Sequence, residues 1–224
     1  MLRVDVPEIL DSGRCSAADV ANCMRDLGRV NRWFGGVATT QKMVERMAHS
    51  SGIKHLSLLE VAAGSGEVPE LVKKNVARRG ITLDVTLLDR ARAHLPEGKF
   101  SVVGDALAMP FGDEAFDLVS CSLFAHHLDP RQVALFVREG LRVCRHALLI
   151  NDLVRHPVHL ALAFAGFPLM RSRVAWRDGL TSVRRAYVPE EIRNMLTAAS
   201  SAKTRVPVKI TRHYLFRMGA TVRK

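Results

Sequence analysis

The stretch "LLEVAAGSGEV", residues Leu58 to Val68, decides how the chain folds. Its apolar first half includes Glu60, and a loop of small residues that contains Gly64 and Gly66 follows. Beyond the loop, apolar residues recur with the spacing of a helix. A buried strand, a glycine loop and a helix in this order are typical of a site for a nucleotide-containing ligand. The sequence therefore predicts such a site at this strand end.

Two common nucleotide-binding motifs do not fit this loop. The dinucleotide fingerprint Gly-x-Gly-x-x-Gly needs its last glycine so that the helix can pack close to the strand. Counted from Gly64, that position holds Pro69. A phosphate-binding loop needs Gly-Lys followed by Ser or Thr, and no such triplet follows Gly66. The loop therefore indicates a different cofactor.

The composition is that of a globular protein. The chain has 224 residues, of which 48% are hydrophobic, and this is enough for one domain over residues 1–224. The net charge of +11 suggests nucleic acid or an anionic membrane surface as a partner. Lysine and arginine are nevertheless scattered along the chain, with no block of five or more. We expect no DNA partner and keep RNA only as an alternative.

The cysteines and the apolar segments favour a cytoplasmic location. The four cysteines form no Cys-x-x-Cys pair, as expected of reduced thiols in the cytoplasm. The first ten residues carry acids and a proline instead of an apolar signal-peptide core. The longest apolar run, Pro157 to Met170, is shorter than the about 20 residues that span a bilayer. We expect no transmembrane segment.

Apolar strands alternate with amphipathic helices along most of the chain, which predicts a parallel sheet covered by helices on both faces. Residues 16–50 are predicted to be helical, and the tail carries two neighbouring strands, 206–210 and 214–218, that predict an antiparallel hairpin at the sheet edge. The other predicted strands are 56–62, 82–88, 100–103, 116–122 and 147–150, with helices at 68–79 and 131–142.

Four motifs follow one another in this framework. Glu60-x-Ala-x-Gly-x-Gly comes after the first strand, Asp89 closes the second, Gly104-Asp-Ala follows the third, and "FDLVSCSLFAHHL" contains the fourth strand and its exit loop. In this order they resemble the class I S-adenosylmethionine-dependent methyltransferases over residues 56–150, and the terminal hairpin also matches. The resemblance implies an α/β, Rossmann-like fold with a mostly parallel seven-stranded sheet and an antiparallel last strand. Ala62 departs from the family, which usually has its first glycine there.

The charges around the loop suit S-adenosylmethionine. This cofactor carries a sulfonium and an ammonium, whereas dinucleotides and ATP carry phosphates that a nearby acid would repel. Glu60 and Glu67 flank the loop. Asp89, at a strand end, can accept hydrogen bonds from both ribose hydroxyls.

The resemblance also implies the remaining cofactor contacts. Asp105 would hold the adenine amino group, the backbone of Ala106 would contact a ring nitrogen, and Ser122 would lie beside the methionine part. The complete expected cofactor-binding set is Glu60, Ala62, Gly64, Gly66, Asp89, Arg90, Asp105, Ala106 and Ser122.

The fourth-strand exit loop narrows the class of acceptor. Amino-directed base methyltransferases usually show Asn/Asp/Ser-Pro-Pro-Tyr/Phe there, and cytosine C5 enzymes a Pro-Cys pair, but this chain has "SLFAHHL". Catechol-type enzymes bind magnesium through an acid at that strand end and an Asp-Asn pair after the next strand. Asn151-Asp152 matches the second part only. We therefore predict a small-molecule acceptor and no metal.

His126 and His127 are the candidates for a general base, because histidine can take a phenol proton near neutral pH. One of the pair can instead cap or pack the following helix. Asp152 and His156 follow the fifth strand and are rivals for the same role. Phenol methylation can also proceed by alignment alone, since proximity supplies about 7–11 kcal/mol.

Two flanking segments are expected to shape the acceptor pocket. Residues 29–40 place Trp33 and Phe34 before a Gly-Gly hinge, and residues 155–187 form an insertion that contains His156 and Phe164. Both segments resemble parts of small bacterial methyltransferases of polyketide and phenolic-lipid biosynthesis. The expected organisation is a helical cap (1–50), a cofactor-binding core (56–150), a substrate lid (155–187), and a last helix with the terminal hairpin (188–224).

The sequence thus predicts methyl transfer from S-adenosylmethionine to the hydroxyl of a phenolic or polyketide-like small molecule, with an aromatic acceptor as the expected partner. Three alternatives stay open: a carbon methyltransferase of the ubiquinone and menaquinone type, an RNA methyltransferase suggested by the charge, and a cofactor-binding protein without catalysis suggested by Ala62.

Overall fold

The computed structural model describes residues 1–12, 15–98, 100–199 and 207–224. The strands are β1 (His55–Val61), β2 (Thr82–Asp89), β3 (Ser101–Val103), β4 (Phe116–Ser122), β5 (Cys144–Leu153), β6 (Val208–His213) and β7 (Arg217–Arg223). The α-helices are α1 (Ala17–Trp33), α2 (Gly36–Ser51), α3 (Glu67–Ala77), α4 (Pro130–Val143), α5 (Pro157–Ala165), α6 (Arg173–Arg185) and α7 (Pro189–Ala199).

The strands form one seven-stranded sheet in the order β3-β2-β1-β4-β5-β7-β6. β1 to β5 are parallel, whereas β7 is antiparallel to both β5 and β6. The predicted Rossmann-like class I methyltransferase sheet, with its parallel core and antiparallel end, is confirmed. The order reverses between β1 and β4, so a crevice opens outside the carboxyl ends of these strands.

Two apolar layers hold helices on both faces of the sheet. Successive side chains of β1 point to opposite faces, so Leu58 packs in one layer and Leu59 in the other. The first layer includes Val44 of α2 and Val72 of α3, and the second includes Phe136 of α4. This double coverage explains why apolar residues point to both faces of the central strands.

The helical prediction for residues 16–50 resolves into two helices with a break between them. α1 ends at Trp33 and α2 starts at Gly36. Gly35 caps α2 with φ +80°, a left-handed conformation that glycine adopts without steric cost. The hinge that the sequence predicted at the Gly-Gly pair therefore lies at a real change of helix direction.

The terminal hairpin is confirmed, but the predicted position of its second strand is wrong. Residues 214–216 form the turn, where Leu215 and Phe216 have positive φ values of 50° and 58°. β7 begins only at Arg217 and buries Met218, Ala220 and Val222. The large side chains at the turn are of the types found in strands, and for this reason the sequence predicted a strand there. Val206, the predicted start of the first strand, lies outside the described residues.

Residues 155–187 form α5, a short 3-10 turn at Phe167–Leu169, and α6. α5 has no buried residue. Asp26 of α1 is buried and accepts hydrogen bonds from the backbone nitrogens of Arg171 (2.9 Å) and Ser172 (2.8 Å), which ties the start of α6 to α1.

None of the described helices is long and apolar enough to cross a membrane. The exposed apolar side chains of residues 155–187 are Val158, Leu162, Phe164, Phe167 and Leu169.

Candidate active site

The loop after β1 turns sharply three times. Ala62, Gly64 and Gly66 all have positive φ values, at 52°, 52° and 67°. Ala62, at the position where the family usually has glycine, therefore adopts the backbone conformation that favours glycine. For an alanine this costs about 1–2 kcal/mol. The departure from the family motif changes the side chain and leaves the left-handed turn in place.

Gly66 and Gly64 are constrained in different ways. A Cβ atom on Gly66 would come 2.5 Å from Cδ1 of Leu87, so a larger residue there would have to displace this buried side chain, and the φ of +67° also favours glycine. Around Gly64, the nearest atom to such a Cβ is the Met24 sulfur at 3.7 Å. The backbone of the loop is thus approachable at Gly64, where a cofactor has to come close.

Asp89 ties this loop to the end of β2. Its Oδ2 accepts a hydrogen bond from the Gly64 nitrogen (2.9 Å), and its Oδ1 accepts one from the Ala91 nitrogen (2.9 Å). Burial alone would raise the pKa of Asp89, but His94 and the two backbone donors outweigh burial and lower it. An ionised carboxylate can accept about four hydrogen bonds, so Asp89 retains acceptor capacity for ribose hydroxyls.

Glu60 is buried at the end of β1, beside β4. The Ser120 hydroxyl donates a hydrogen bond to its Oε2. Burial raises the pKa of Glu60 to about 7, against the lowering effect of the Ser120 and Ser122 hydroxyls. A buried carboxyl whose pKa lies near neutrality is stabilised in its ionised form by a cation, and the cofactor brings two cationic groups.

The other expected cofactor residues lie at neighbouring strand ends. Asp105, exposed after β3, accepts a hydrogen bond from the Leu107 nitrogen (2.8 Å), and Ala106 is half-buried. Ser122 ends β4 with its hydroxyl 3.5 Å from that of Thr40 on α2. Arg90 is exposed after β2. Their roles stay predictions, but all of them line the edge where the carboxyl ends of β1 to β4 meet.

His126 is almost fully buried in the turn after β4 and is held by Asp152 of β5. Its Nδ1 lies 2.6 Å from Asp152 Oδ1, and its backbone nitrogen donates to Oδ2 at 2.9 Å. Burial lowers the pKa of His126, but Asp152 and Glu8 raise it further, to about 9. His126 and Asp152, which the sequence analysis treated as alternative candidates for the base, therefore form one unit in which Asp152 orients His126.

His127 is more accessible, with 22% of its side chain exposed. Its Nδ1 lies 2.9 Å from Asp11 Oδ2, and its Nε2 lies 3.6 Å from Glu8 Oε1. Its ring stacks on Phe124. Of the two histidines, His127 is the one that a small molecule can reach.

Besides Asp152, two acids of the N-terminal segment (residues 1–12) face this histidine pair, and sequence reasoning missed both. Glu8 is buried and accepts a hydrogen bond from the Ser182 hydroxyl of α6 at 2.6 Å. Asp178 of α6 accepts the backbone nitrogens of Ile9 (2.7 Å) and Leu10 (2.9 Å). The segment has no helical or strand periodicity, so no sequence signal placed Glu8 and Asp11 at the site.

Each of the four residues that were expected to contact the acceptor has its own local contacts in the structure. His156 caps α5 through its Nδ1, which accepts from the Val158 nitrogen at 3.2 Å, and stacks on Phe216. Phe164 is exposed and packs against Trp176. Trp33 is 60% exposed at the end of α1, and Phe34 is half-buried beside it. Their contact with an acceptor stays a prediction.

A second set of polar contacts joins β5 and β7 to the junction between α1 and α2. Asn151 of β5 donates to the Gly36 carbonyl (2.8 Å) and to the Thr40 hydroxyl (2.9 Å). Arg217 of β7 is 1% exposed, and its Nη2 donates to Asn31 Oδ1 at 2.8 Å. Asn151, the partial match to a catechol-type magnesium motif, is therefore used to hold the α1–α2 junction.

A cleft of roughly 260 Å³ lies beside the cofactor loop, between α1 and α3. Arg32 pairs with Glu67 and Arg29 pairs with Asp26 at its wall. Arginine is the commonest side chain here. The lining residues are Asn22, Arg25, Asp26, Arg29, Arg32, Glu67 and Arg171.

Residues 59–147 match a family model described as a methyltransferase domain. The chain is 31% identical over 134 residues to a demethylmenaquinone methyltransferase of Thermotoga maritima, covering 58% of this chain and 51% of that protein. It is 29% identical over 194 residues to a malonyl-[acyl-carrier protein] O-methyltransferase of Methylococcus capsulatus, covering 80% and 65%. The chain thus spans between about half and about two thirds of these curated relatives.

Solved structures share the fold at low sequence identity. The plantazolicin methyltransferase BamL, solved with S-adenosylhomocysteine, matches with a TM-score of 0.65 and 11% identity over 93% of this chain and 97% of that one. Human N-acetylserotonin methyltransferase, solved with S-adenosylmethionine, matches with a TM-score of 0.65 and 14% identity over 98% and 60%. An S-adenosylmethionine-dependent methyltransferase from Aquifex aeolicus matches with a TM-score of 0.58 and 14% identity over 94% and 99%.

Proposed function

We propose that the chain is a class I methyltransferase that uses S-adenosylmethionine and methylates an oxygen atom of a small-molecule acceptor; the methyltransferase-domain model that matches residues 59–147 and the shared fold support this. The single observation that carries the choice of oxygen is the accessible His127, held by Asp11 in the turn after β4. Methylation of a hydroxyl group releases a proton, and a positioned imidazole can accept it.

The cofactor is assigned to the crevice outside β1 to β4. The loop backbone at Gly64 is approachable, Asp89 has acceptor capacity for ribose, and Glu60 offers a carboxyl to a cation. The acids near the loop also oppose a phosphate group, which supports S-adenosylmethionine over ATP or NAD.

The reaction proposed for the acceptor is a direct displacement. The acceptor oxygen forms a bond to the methyl carbon while the carbon–sulfur bond breaks, and the bonding pair stays on sulfur to give neutral S-adenosylhomocysteine. The hydroxyl proton passes to Nε2 of His127, whose Nδ1 faces Asp11. Asp152 keeps His126 fixed beside it, with the two ring centroids 4.4 Å apart.

We assign the acceptor to the phenolic or polyketide-like class. The support is the apolar character of α5 and the following turn, where Leu162, Phe164 and Phe167 are exposed near the ring of Trp176. An apolar surface on the segment that follows β5 suits an apolar, flat acceptor better than a polar one. Residues 155–187 are accordingly proposed as the substrate lid and residues 1–50 as the cap.

The test is a panel of phenols, quinols, alkylresorcinols and hydroxylated aromatic polyketides, incubated with S-adenosylmethionine and with wild-type or His127→Ala protein. We expect one class to be methylated on oxygen, and the variant to lose about 10²–10⁴-fold in kcat with unchanged affinity for S-adenosylhomocysteine. His55→Ala is the matched control, because His55 is exposed at the far end of β1, where it pairs with Asp84.

Three outcomes would contradict this proposal. A product methylated on carbon, identified by nuclear magnetic resonance, would replace it with the quinone-pathway type of reaction that the Thermotoga relative's name describes. Wild-type turnover in His127→Ala would remove the general base and leave alignment as the source of rate. Cofactor binding without turnover of any acceptor would favour a non-catalytic protein.

A carboxylate acceptor is the second candidate, because of the arginine-lined cleft beside the loop. Arg25, Arg29 and Arg32 occupy one stripe of α1, and Arg171 faces them from the segment before α6. Arginine binds carboxylates through paired hydrogen bonds. The Methylococcus relative is named as a methyltransferase of a malonyl group on a carrier protein. Adding malonyl thioesters to the panel distinguishes the two candidates.

A further inference from the structure

Three side chains around the turn after β4 converge on one point. The Nε2 atoms of His126 and His127 lie 3.4 Å and 3.6 Å from the same Oε1 of Glu8. All three atoms lie within 4.8 Å of one another. Glu8 and His126 are buried, and His127 is half-buried.

The other nitrogen of each ring faces a carboxylate. Nδ1 of His126 lies 2.6 Å from Asp152, and Nδ1 of His127 lies 2.9 Å from Asp11. When Nδ1–H donates to a carboxylate, Nε2 presents its lone pair on the opposite side of the ring. Histidines that bind metals almost always have this arrangement, because the carboxylate fixes the ring and its tautomer.

The distances between the converging atoms fit a metal better than a direct hydrogen bond. With bonds of about 2.0–2.1 Å, two ligands of a tetrahedral zinc ion lie about 3.3 Å apart. The separations of 3.4 Å and 3.6 Å are close to that edge and too long for good hydrogen bonds. Among the described residues, no group makes a hydrogen bond with Nε2 of His126, although this atom is fully buried.

We propose that Glu8, His126 and His127 bind a divalent transition-metal ion, with Asp152 and Asp11 as the carboxylates that orient the two rings. Two imidazoles and one carboxylate are ligands that suit zinc, cobalt or iron, and suit magnesium poorly. Three protein ligands leave a fourth position, and the partly exposed side of His127 is where water or another oxygen would enter.

The site also gives the N-terminal segment a second attachment. Glu8 is the ligand that comes from this segment, and Asp178 fixes the two residues that follow it. A bound ion therefore links the N-terminal segment to the exit loop of β4. If the acceptor's hydroxyl occupies the fourth position, the ion rather than an imidazole would promote loss of its proton; this task rests on the proposed function, whereas metal binding does not.

The test is a titration of the metal-free full chain with Co²⁺ in the absence of any acceptor. We expect the visible absorption of tetrahedral Co²⁺ to saturate at one equivalent and to disappear on addition of Zn²⁺. Glu8→Gln and His127→Ala each change a ligand and should weaken Co²⁺ binding about tenfold or more. Asp11→Asn changes a residue that only orients a ligand, so it should weaken Co²⁺ binding by about 100-fold at most. His55→Ala should bind as the wild type does.

Each outcome decides the matter. Absence of the tetrahedral absorption, or a titration unchanged in both Glu8→Gln and His127→Ala, would show that the cluster is only a network of ion pairs. Binding of S-adenosylhomocysteine by calorimetry verifies that each variant is folded. Because no methyl transfer is measured, failure of the metal site and failure of the proposed reaction are separate results.

Discussion

Asp89 connects the loop after β1 to the end of β2, where we propose that ribose binds. One oxygen accepts from Gly64 in the loop and the other from Ala91 after β2. Because both oxygens are already oriented by backbone donors, the carboxylate needs no rearrangement when the cofactor arrives. Preorganised, ionised acceptors make hydrogen bonds of the stronger kind.

Replacing Asp89 with alanine should weaken binding of S-adenosylhomocysteine by about 1.5–3 kcal/mol, the usual loss for hydrogen bonds to a charged group. Isothermal titration calorimetry measures it directly. Asp84→Ala is the matched control, because Asp84 is exposed on the same strand and pairs with His55. Wild-type affinity in Asp89→Ala would remove this residue from the cofactor site.

Glu60 is expected to make cofactor binding depend on pH. Its pKa in the folded protein is raised to about 7 by burial, despite the Ser120 and Ser122 hydroxyls that lower it. The free protein therefore keeps a proton here that the unfolded chain loses near its ordinary pKa. The stability of the free protein should fall as pH rises through that interval toward 7.

A cationic cofactor prefers the ionised form of Glu60, so affinity for S-adenosylmethionine should increase as pH rises through about 7 and then level off. Thermal-shift measurements on either side of neutrality should show a larger stabilisation by the cofactor on the alkaline side. Glu60→Gln should remove this dependence. Equal stabilisation by the cofactor at both pH values in the wild type would contradict the proximity of Glu60 to a cationic group.

At the scale of elements, α6 is what holds the N-terminal segment over the histidine pair. Asp178 accepts two consecutive backbone nitrogens, from Ile9 and Leu10, and Ser182 donates to Glu8. These contacts are one helical turn apart on α6, so one face of this helix positions residues 8–10. The placement of these residues therefore depends on α6 as well as on their own sequence.

Asp178→Ala should increase the rate of amide hydrogen exchange in the segment around Ile9 and Leu10 about tenfold or more, since two buried donors lose their acceptor. Hydrogen exchange followed by mass spectrometry resolves this region. Asp113→Ala is a suitable control, because Asp113 is exposed and pairs with Arg142 at the surface. Unchanged exchange in Asp178→Ala would mean that other contacts fix the segment.

Elements were predicted correctly where their own residues have a recognisable pattern. β4 was predicted at its observed bounds, because Phe116, Leu118, Val119 and Cys121 form a mostly apolar run between polar turns. β7 was misplaced, because Tyr214, Leu215 and Phe216 have strand-like side chains but form the turn. The conformation of that turn is set by the pairing of β6 with β7, which no local pattern encodes.

The same distinction separates the parts of the site. Asp89 and the loop glycines are recognisable because their order along the chain repeats a family pattern. The pairing of His126 with Asp152 depends on two adjacent strands, and these residues were predicted as rivals instead of partners. Contacts with α6 help to bring Glu8 and Asp11 to the histidines. Contacts that depend on a third element are not visible in a linear pattern.

At the scale of the whole molecule, the site is assembled from segments far apart in the sequence. The cofactor edge belongs to β1 to β4, the acids come from residues 8 and 11, and α6 joins the two. A change in α6 is therefore expected to affect the reaction without touching either the cofactor or the acceptor.

The position of β7 between β5 and β6 has a consequence for synthesis of the chain. While the ribosome is still adding residues before β7, one edge of β5 has no neighbour, and Asn31 lacks its partner Arg217. An unpaired strand edge can pair with another chain. Until β7 has been made, this edge of β5 is therefore expected to be open to pairing with another chain.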